Sequence, residues 1–152
     1  MKSLVRRDTG EDWKAYVRRL AEAEGIKEPT DEELRRFDRK RTKKTSNKEW
    51  ESATDPDSRV TKMKDGRTHL AYKAEHAVDL ESEMVVAAVV YRADDADPET
   101  LPVTIELARE QLATAGSSHQ VEEAVADKGY HKAETLQTVE EVQAVRPYVA
   151  EP

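Results

Sequence analysis

The chain has 152 residues and a net charge of −7, and 37% of its residues are hydrophobic whereas 38% are charged. This composition predicts one domain of ordinary size, or part of a larger one, with a modest core. The absence of cysteine excludes disulfides, thiolate zinc sites and thiol nucleophiles, and without an apolar run for a membrane helix or secretory signal we expect a cytoplasmic protein with no membrane partner.

Residues 1–41 are predicted to form a small helical hairpin. The apolar spacing of residues 11–24 predicts a first helix, which Thr9 caps and Gly25 ends. A second helix is predicted over residues 30–41 because its start has the spacing of a capping box, and it carries few apolar side chains. We therefore expect a thin hydrophobic contact between the two helices.

Basic charge is concentrated at the end of this hairpin. Residues 35–48 hold eight basic residues and one acidic residue, whereas residues 51–152 carry 10 basic and 21 acidic ones. Lysine and arginine neutralise phosphates without reading sequence, so this run is a candidate DNA-contacting segment, and a solvated, mobile segment is the alternative. The candidate residues are Arg35, Arg36, Arg39, Lys40, Arg41, Lys43, Lys44 and Lys48.

Residues 42–66 are predicted to form a flexible basic linker followed by an irregular lead-in. They show no apolar periodicity, and Asp55-Pro56-Asp57 and Asp65-Gly66 are turn signals. Trp50 lies within this segment, where it either stacks on a nucleic-acid base or fixes the linker.

Residues 67–152 are predicted to form a mixed α/β region. Residues 69–78 and 84–91 are predicted as a hairpin, and the nearly continuous β-branched run of the second indicates a buried strand. The later elements are a helix at 98–115, a strand at 121–126, a helix at 131–144 and a strand at 145–150. This alternation favours a mixed sheet covered by helices.

Three aspartates precede the helix predicted at 98–115. Asp97 is its predicted cap, with Pro98 at the first helical position. We interpret Asp94 and Asp95 as part of a solvated loop, so this acidic cluster is not predicted to bind a metal ion.

The most informative stretch is Val125-Ala126-Asp127-Lys128-Gly129-Tyr130, where an aspartate ends an apolar strand and a glycine turn follows. A carboxylate at the end of a buried strand is well placed to hold a divalent cation beside an open crevice. The alternative is that Asp127 caps the helix beginning near His131. Lys128 is a candidate phosphate contact, with a solvated lysine as its alternative.

Three segments together resemble the DDE transposases of bacterial insertion sequences. They are residues 55–59 (Asp-Pro-Asp-Ser-Arg), residues 62–79, which include Lys-Asp-Gly-Arg-Thr-His-Leu-Ala-Tyr-Lys, and residues 125–131 (Val-Ala-Asp-Lys-Gly-Tyr-His). The resemblance implies a ribonuclease-H-like core in which two aspartates and a glutamate hold two Mg²⁺ ions. Asp127 matches the second aspartate of that triad, which makes it the predicted catalytic and metal-binding residue.

The resemblance also implies what the chain lacks. The first catalytic aspartate belongs on a strand before the helical hairpin, in a segment like Val-Asp-Ala-Thr, and the glutamate belongs on a later helix. Neither is matched here, so we expect an internal fragment of the catalytic domain: a hairpin insertion at 1–41, the linker at 42–66 and a partial ribonuclease-H-like core at 67–152. We expect this fragment to be inactive alone and marginally stable, because the strand that carries the first aspartate lies centrally in the family's sheet.

The resemblance implies transposon-end DNA as the partner and allows a homo-oligomer of the intact enzyme. Two other functions stay open. The chain could be a non-enzymatic nucleic-acid-binding protein that uses residues 35–48, or a metal-dependent nuclease whose missing acids come from partner chains.

Overall fold

The computed structural model describes residues 4–42, 45–63 and 66–152. Helices and strands alternate, which confirms the predicted mixed α/β class. In chain order the elements are β1 (Leu4–Arg6), α1 (Trp13–Ala23), α2 (Asp31–Lys40), β2 (Trp50–Ser52), β3 (Arg59–Lys62), β4 (Thr68–Val78), β5 (Val85–Arg92), α3 (Asp97–Thr114), β6 (Glu123–Ala126), a 3₁₀ helix (Lys128–Tyr130), α4 (Ala133–Glu141) and β7 (Arg146–Val149). No helix in the described part of the chain is long and apolar enough to cross a membrane.

The chain divides into two compact units. The first unit comprises Met1–Tyr72 and Arg92–Asp94, and the second comprises Lys73–Tyr91 and Asp95–Pro152. The domain boundaries predicted from the sequence at residues 41 and 66 stay a prediction.

The predicted helical hairpin is confirmed in the first unit, where α1 packs on α2. Asp12, not the predicted Thr9, caps α1, because its side chain accepts a hydrogen bond from the Ala15 N–H at 2.8 Å. The capping box of α2 forms as predicted between Thr30 and Glu33. The buried residues of the hairpin core are Val17, Ala21 and Leu34, and Trp13, Tyr16, Ile26 and Phe37 pack around them.

The predicted linker at 42–66 contains two strands that the sequence did not indicate. In the first, Trp50 and Ser52 of β2 pair antiparallel with Arg6 and Leu4 of β1. Trp50 is 2% exposed, and its ring lies edge-on against the Tyr16 ring with centroids 5.4 Å apart. Of the two roles left open for Trp50, the structure favours fixing this segment over stacking on a nucleic-acid base, because the ring is already buried in the first unit.

β3, β4 and β5 form one sheet in that order. The prediction of a buried β5 is wrong: Ala87 is fully buried, whereas Val85 and Val90 are 57% and 69% exposed. Its valines are half-buried or exposed, so the β-branched run reflects strand propensity and not burial on both faces.

The core of the second unit lies between α3, α4 and the strand pair β6–β7. Leu101, Ile105, Val139 and Val145 are its buried residues. β6 and β7 pair in parallel, with Val125 opposite Tyr148. Because parallel strands end at the same edge of a sheet, residues that follow β6 and β7 lie at one edge.

Candidate active site

Asp127 lies at the end of β6, where the sequence predicted it. Asp127 is exposed, and its Oδ1 accepts a hydrogen bond from the Gly129 N–H at 2.6 Å. Asp127 thereby caps the 3₁₀ helix and not the helix that follows, since α4 begins only at Ala133. The carboxylate is thus held in a fixed turn at the edge of the parallel strand pair.

A second carboxylate, Asp97, reaches the same turn. A Cβ atom added to Gly129 would lie 2.9 Å from Asp127 Oδ1 and 2.9 Å from Asp97 Oδ2. The two carboxylate oxygens are therefore no farther apart than twice that distance. Glycine at position 129 leaves the space in which these two acids converge.

Asp97 was predicted to cap α3, and that prediction is wrong. The cap position is Ala96, which makes no side-chain hydrogen bond, and Asp97 is the first residue of the helix. Its Oδ1 lies 2.8 Å from the Lys73 Nζ on β4, so the carboxylate is committed to an ion pair. A charged partner outcompetes a neutral backbone N–H for the same oxygen.

Lys73 has three acceptors for its three ammonium protons. Besides Asp97 Oδ1, Nζ donates to Thr100 Oγ1 at 3.1 Å and to the Asp95 carbonyl oxygen at 3.2 Å. A second carboxylate, Glu75, lies nearby, with its Oε2 at 3.7 Å from Nζ. One ammonium therefore connects β4 to the beginning of α3.

Glu75 is the most buried acid of this group, at 7% exposure. Its Oε1 accepts a hydrogen bond from the Thr104 hydroxyl at 3.0 Å, and Thr104 Oγ1 lies 3.0 Å from the Tyr91 hydroxyl. A carboxylate this deeply buried requires both hydrogen bonds and a nearby cation. Lys73 supplies the cation.

The Tyr130 hydroxyl is affected by burial and by the charges of three acids. Burial first, and then the negative charges of Glu75, Asp97 and Asp127, raise the pKa of the Tyr130 hydroxyl to about 12. A negative charge nearby disfavours the phenolate, so the three acids add to the effect of burial. The second unit thus holds an acidic group with one lysine.

These residues do not form a complete divalent-metal site. In the described ranges, no group of three histidine, aspartate or glutamate side chains is arranged to hold a metal ion. Lys73 already occupies the position between Asp97 and Glu75 where a cation would be attracted. Asp127 is exposed and can supply one ligand, but two Mg²⁺ ions need more carboxylates than the turn presents.

The predicted DNA-contacting residues divide by location. Arg35, Arg36, Arg39 and Lys40 lie on α2, and at 3.6 residues per turn they fall in an arc of about 140° that excludes the buried Leu34. All four residues are exposed. We call these four residues the basic face.

The other predicted basic residues lie outside the basic face. Arg41 is half-buried, because it pairs with Asp38 at 3.1 Å and its guanidinium lies 5.3 Å from the Tyr16 ring centroid. Lys48 and Lys128 also lie outside it, and Lys128 is exposed beside Asp127. Lys43 and Lys44 lie outside the described residues.

Sequence reasoning missed Lys73 and Glu75. Both lie on β4 two residues apart, and strand geometry places such residues on one face. A lysine and a glutamate on the inward face of a predicted strand were the available signal, because charged residues are seldom buried unless paired.

Comparison with family models finds a match that covers more than half of the chain. The family model described as "Transposase DDE domain" matches residues 29–148, a range that includes Asp97, Asp127 and the basic face. No curated protein and no solved structure is significantly similar to the chain.

Proposed function

Because the chain belongs to the transposase DDE domain family, whose members cleave and transfer DNA, we propose that Asp127 is the second aspartate of its catalytic triad. The family match also confirms the predicted fold class, a mixed α/β core of the ribonuclease-H-like type. The observation that supports the role of Asp127 is its position: an exposed carboxylate held in a tight turn directly after a strand of a parallel pair. Ligands bind at this carboxyl edge in open α/β sheets.

The family's chemistry uses divalent metal, and we propose Mg²⁺ as the ion because it prefers carboxylate oxygen. Such ions activate the attacking hydroxyl and stabilise the leaving oxygen of a phosphodiester. Within this chain, Asp127 supplies one ligand, and the Gly129 N–H fixes the orientation of its carboxylate. The sequence matches only this one of the three family carboxylates, so we propose that these 152 residues are inactive alone.

We expect no nicking of supercoiled plasmid by the purified chain with Mg²⁺ or Mn²⁺ above the level of Asp127→Asn. The reason is that one carboxylate cannot hold the two ions that strand cleavage requires. Gel analysis of plasmid topology measures this. Nicking by the original chain that disappears in Asp127→Asn would contradict inactivity and support a nuclease assembled from several chains.

We further propose that the basic face of α2 contacts DNA backbone, in transposon ends for the intact enzyme. Its four side chains lie on one side of the helix, away from Leu34, so they can approach phosphates without disturbing the hairpin core. Contacts to the phosphate backbone give affinity without sequence recognition. The same observation supports the alternative function, a non-enzymatic nucleic-acid-binding protein.

Neutralising the basic face, by changing Arg35, Arg36, Arg39 and Lys40 to glutamine, should weaken duplex DNA binding at low salt by at least about tenfold. The slope of log K against log salt should fall by about 0.9 for each phosphate that the variant no longer neutralises. Fluorescence anisotropy across a salt series measures both. The matched control changes Lys14, Arg18, Arg19 and Lys27 to glutamine, which removes the same charge from elsewhere in the first unit.

Equal decreases in affinity for the two quadruple variants would show a general charge effect and contradict the basic face as a binding surface. Asp127→Ala is expected to bind DNA as the original chain does. Unchanged DNA binding in Asp127→Ala would show that binding by the basic face does not depend on the candidate site.

A further inference from the structure

The Lys73 ammonium group links the beginning of α3 to β4. Lys73 Nζ donates to Asp97 Oδ1 at 2.8 Å, to Thr100 Oγ1 at 3.1 Å and to the Asp95 carbonyl oxygen at 3.2 Å. The Lys73 side chain is 21% exposed, so these bonds form with partial exclusion of water. Charge-assisted bonds in such surroundings are stronger than neutral ones.

The two carboxylate oxygens of Asp97 face different neighbours. Oδ1 is bonded to Lys73, and Oδ2 faces Gly129, 2.9 Å from the place that a Cβ atom would occupy there. α3 contacts the 3₁₀ helix, so this carboxylate lies directly behind the turn that Asp127 caps.

Asp97 and Asp127 carry like charges and repel each other. This repulsion favours a movement of the Asp97 side chain away from Asp127. The ion pair with Lys73 opposes that movement, because turning Asp97 away would break a 2.8 Å bond to an ammonium group. The repulsion then acts on Asp127, whose Oδ1 is held instead by the Gly129 N–H at 2.6 Å. The Asp127 carboxylate is thus confined between its own turn and a fixed neighbour.

We propose that Asp97, anchored by Lys73, is a positioning residue for Asp127: it supports the Lys128–Tyr130 turn from behind and fixes where the Asp127 carboxylate lies. The functional meaning of this arrangement rests on the proposed catalytic role of Asp127. Asp97 acts through Asp127 and not on the reacting atoms: Lys73 binds its Oδ1, and its Oδ2 faces Gly129.

The test compares NMR spectra of the ¹⁵N-labelled full chain without any metal ion. The readout is the Gly129 amide proton, which a short bond to a carboxylate shifts downfield. Asp127→Ala defines its position when that bond is absent. Asp97→Ala should move the Gly129 resonance toward this position, while the amides of α4 and β7 keep theirs.

Glu99→Ala is the matched control, because Glu99 is also an acid in the first turn of α3 and is exposed. It should leave Gly129 unchanged. Lys73→Arg keeps the positive charge that anchors Asp97, so the Gly129 resonance should stay at its original position. If Lys73 and Asp97 only stabilised the fold, the Gly129 resonance would not depend on this charge.

A Gly129 resonance that is the same in Asp97→Ala and in the original chain would overturn the proposal. If Asp97→Ala does not fold, Asp97→Asn replaces it, since it keeps the side-chain shape and removes the charge that binds Lys73. A Gly129 shift in Asp97→Asn supports the proposal, and none overturns it. The spectra are recorded without a metal ion. The presence or absence of a Gly129 shift is therefore independent of whether Asp127 binds metal.

Discussion

Replacing Leu34 by alanine is expected to lower the free energy of unfolding of the first unit by about 3 kcal/mol. Leu34 is 1% exposed and is the largest buried side chain of the hairpin core. α2 has only one other sizeable apolar residue, Phe37, so few neighbouring side chains can fill the space that the truncation leaves. The decrease is a large part of the stability that a small domain possesses.

Tryptophan fluorescence during urea unfolding measures this effect in the correct unit. Both tryptophans of the chain, Trp13 and Trp50, lie in the first unit, and Trp13 packs on the Leu34 cluster. The control is Met63→Ala, because Met63 also lies in the first unit and is 48% exposed, so its truncation should cost less than about 0.5 kcal/mol. A Leu34→Ala transition that coincides with that of the control would contradict the described hairpin core.

Ile105→Ala is expected to destabilise the second unit by about 3 kcal/mol. Ile105 is 5% exposed on α3 and belongs to the cluster that also contains Leu101, Val139 and Val145. This cluster joins α3 and α4 to the strand pair that ends at Asp127, so its disruption should also disturb the candidate site. Amide exchange of β6 and α4 measures the second unit separately from the first.

Val103→Ala is the control for this prediction, because it removes an aliphatic side chain two residues earlier on the same helix. Val103 is 54% exposed, so its truncation should change stability little. Similar exchange rates in the two variants would mean that the buried face of α3 is not the one described.

The sequence predicted elements whose signals are local. The second helix of the hairpin was identified from Thr30 and Glu33, which form its cap within one turn of the chain. The β1–β2 ribbon was missed because each strand has three residues and the partners Leu4 and Ser52 are far apart in the chain. No local pattern reveals a pairing at such a separation. Trp50 lies on β2, so its burial could not be predicted without this pairing.

In the candidate site, too, local contacts were predictable from the sequence and distant ones were not. Asp127 was predicted because the turn that holds it, through Gly129, is formed by adjacent residues. Asp97 was interpreted as a helix cap, which is the local choice, but its carboxylate pairs with Lys73 on a strand 24 residues earlier. Which of two partners an aspartate takes depends on tertiary structure, so a capping pattern alone could not decide it.

β5 shows a third limit of sequence reasoning. Val85 and Val90 follow the pattern of a buried strand, yet both are exposed. A run of β-branched residues reports strand propensity strongly and burial weakly, because the same residues suit a strand that packs on one face.

The most direct test of the central claim, that Asp127 is the metal-binding carboxylate of this transposase domain, is an Mn²⁺ titration of the ¹⁵N-labelled chain followed by NMR. We predict weak binding in which the amide resonances of residues 127–129 broaden first, and this broadening should disappear in Asp127→Asn. Asp57→Asn is the control, since Asp57 is an aspartate of the first unit with a side chain 74% exposed, and it should leave the broadening unchanged. Broadening at residues 127–129 that persists in Asp127→Asn, or that never occurs in the original chain, would contradict the claim.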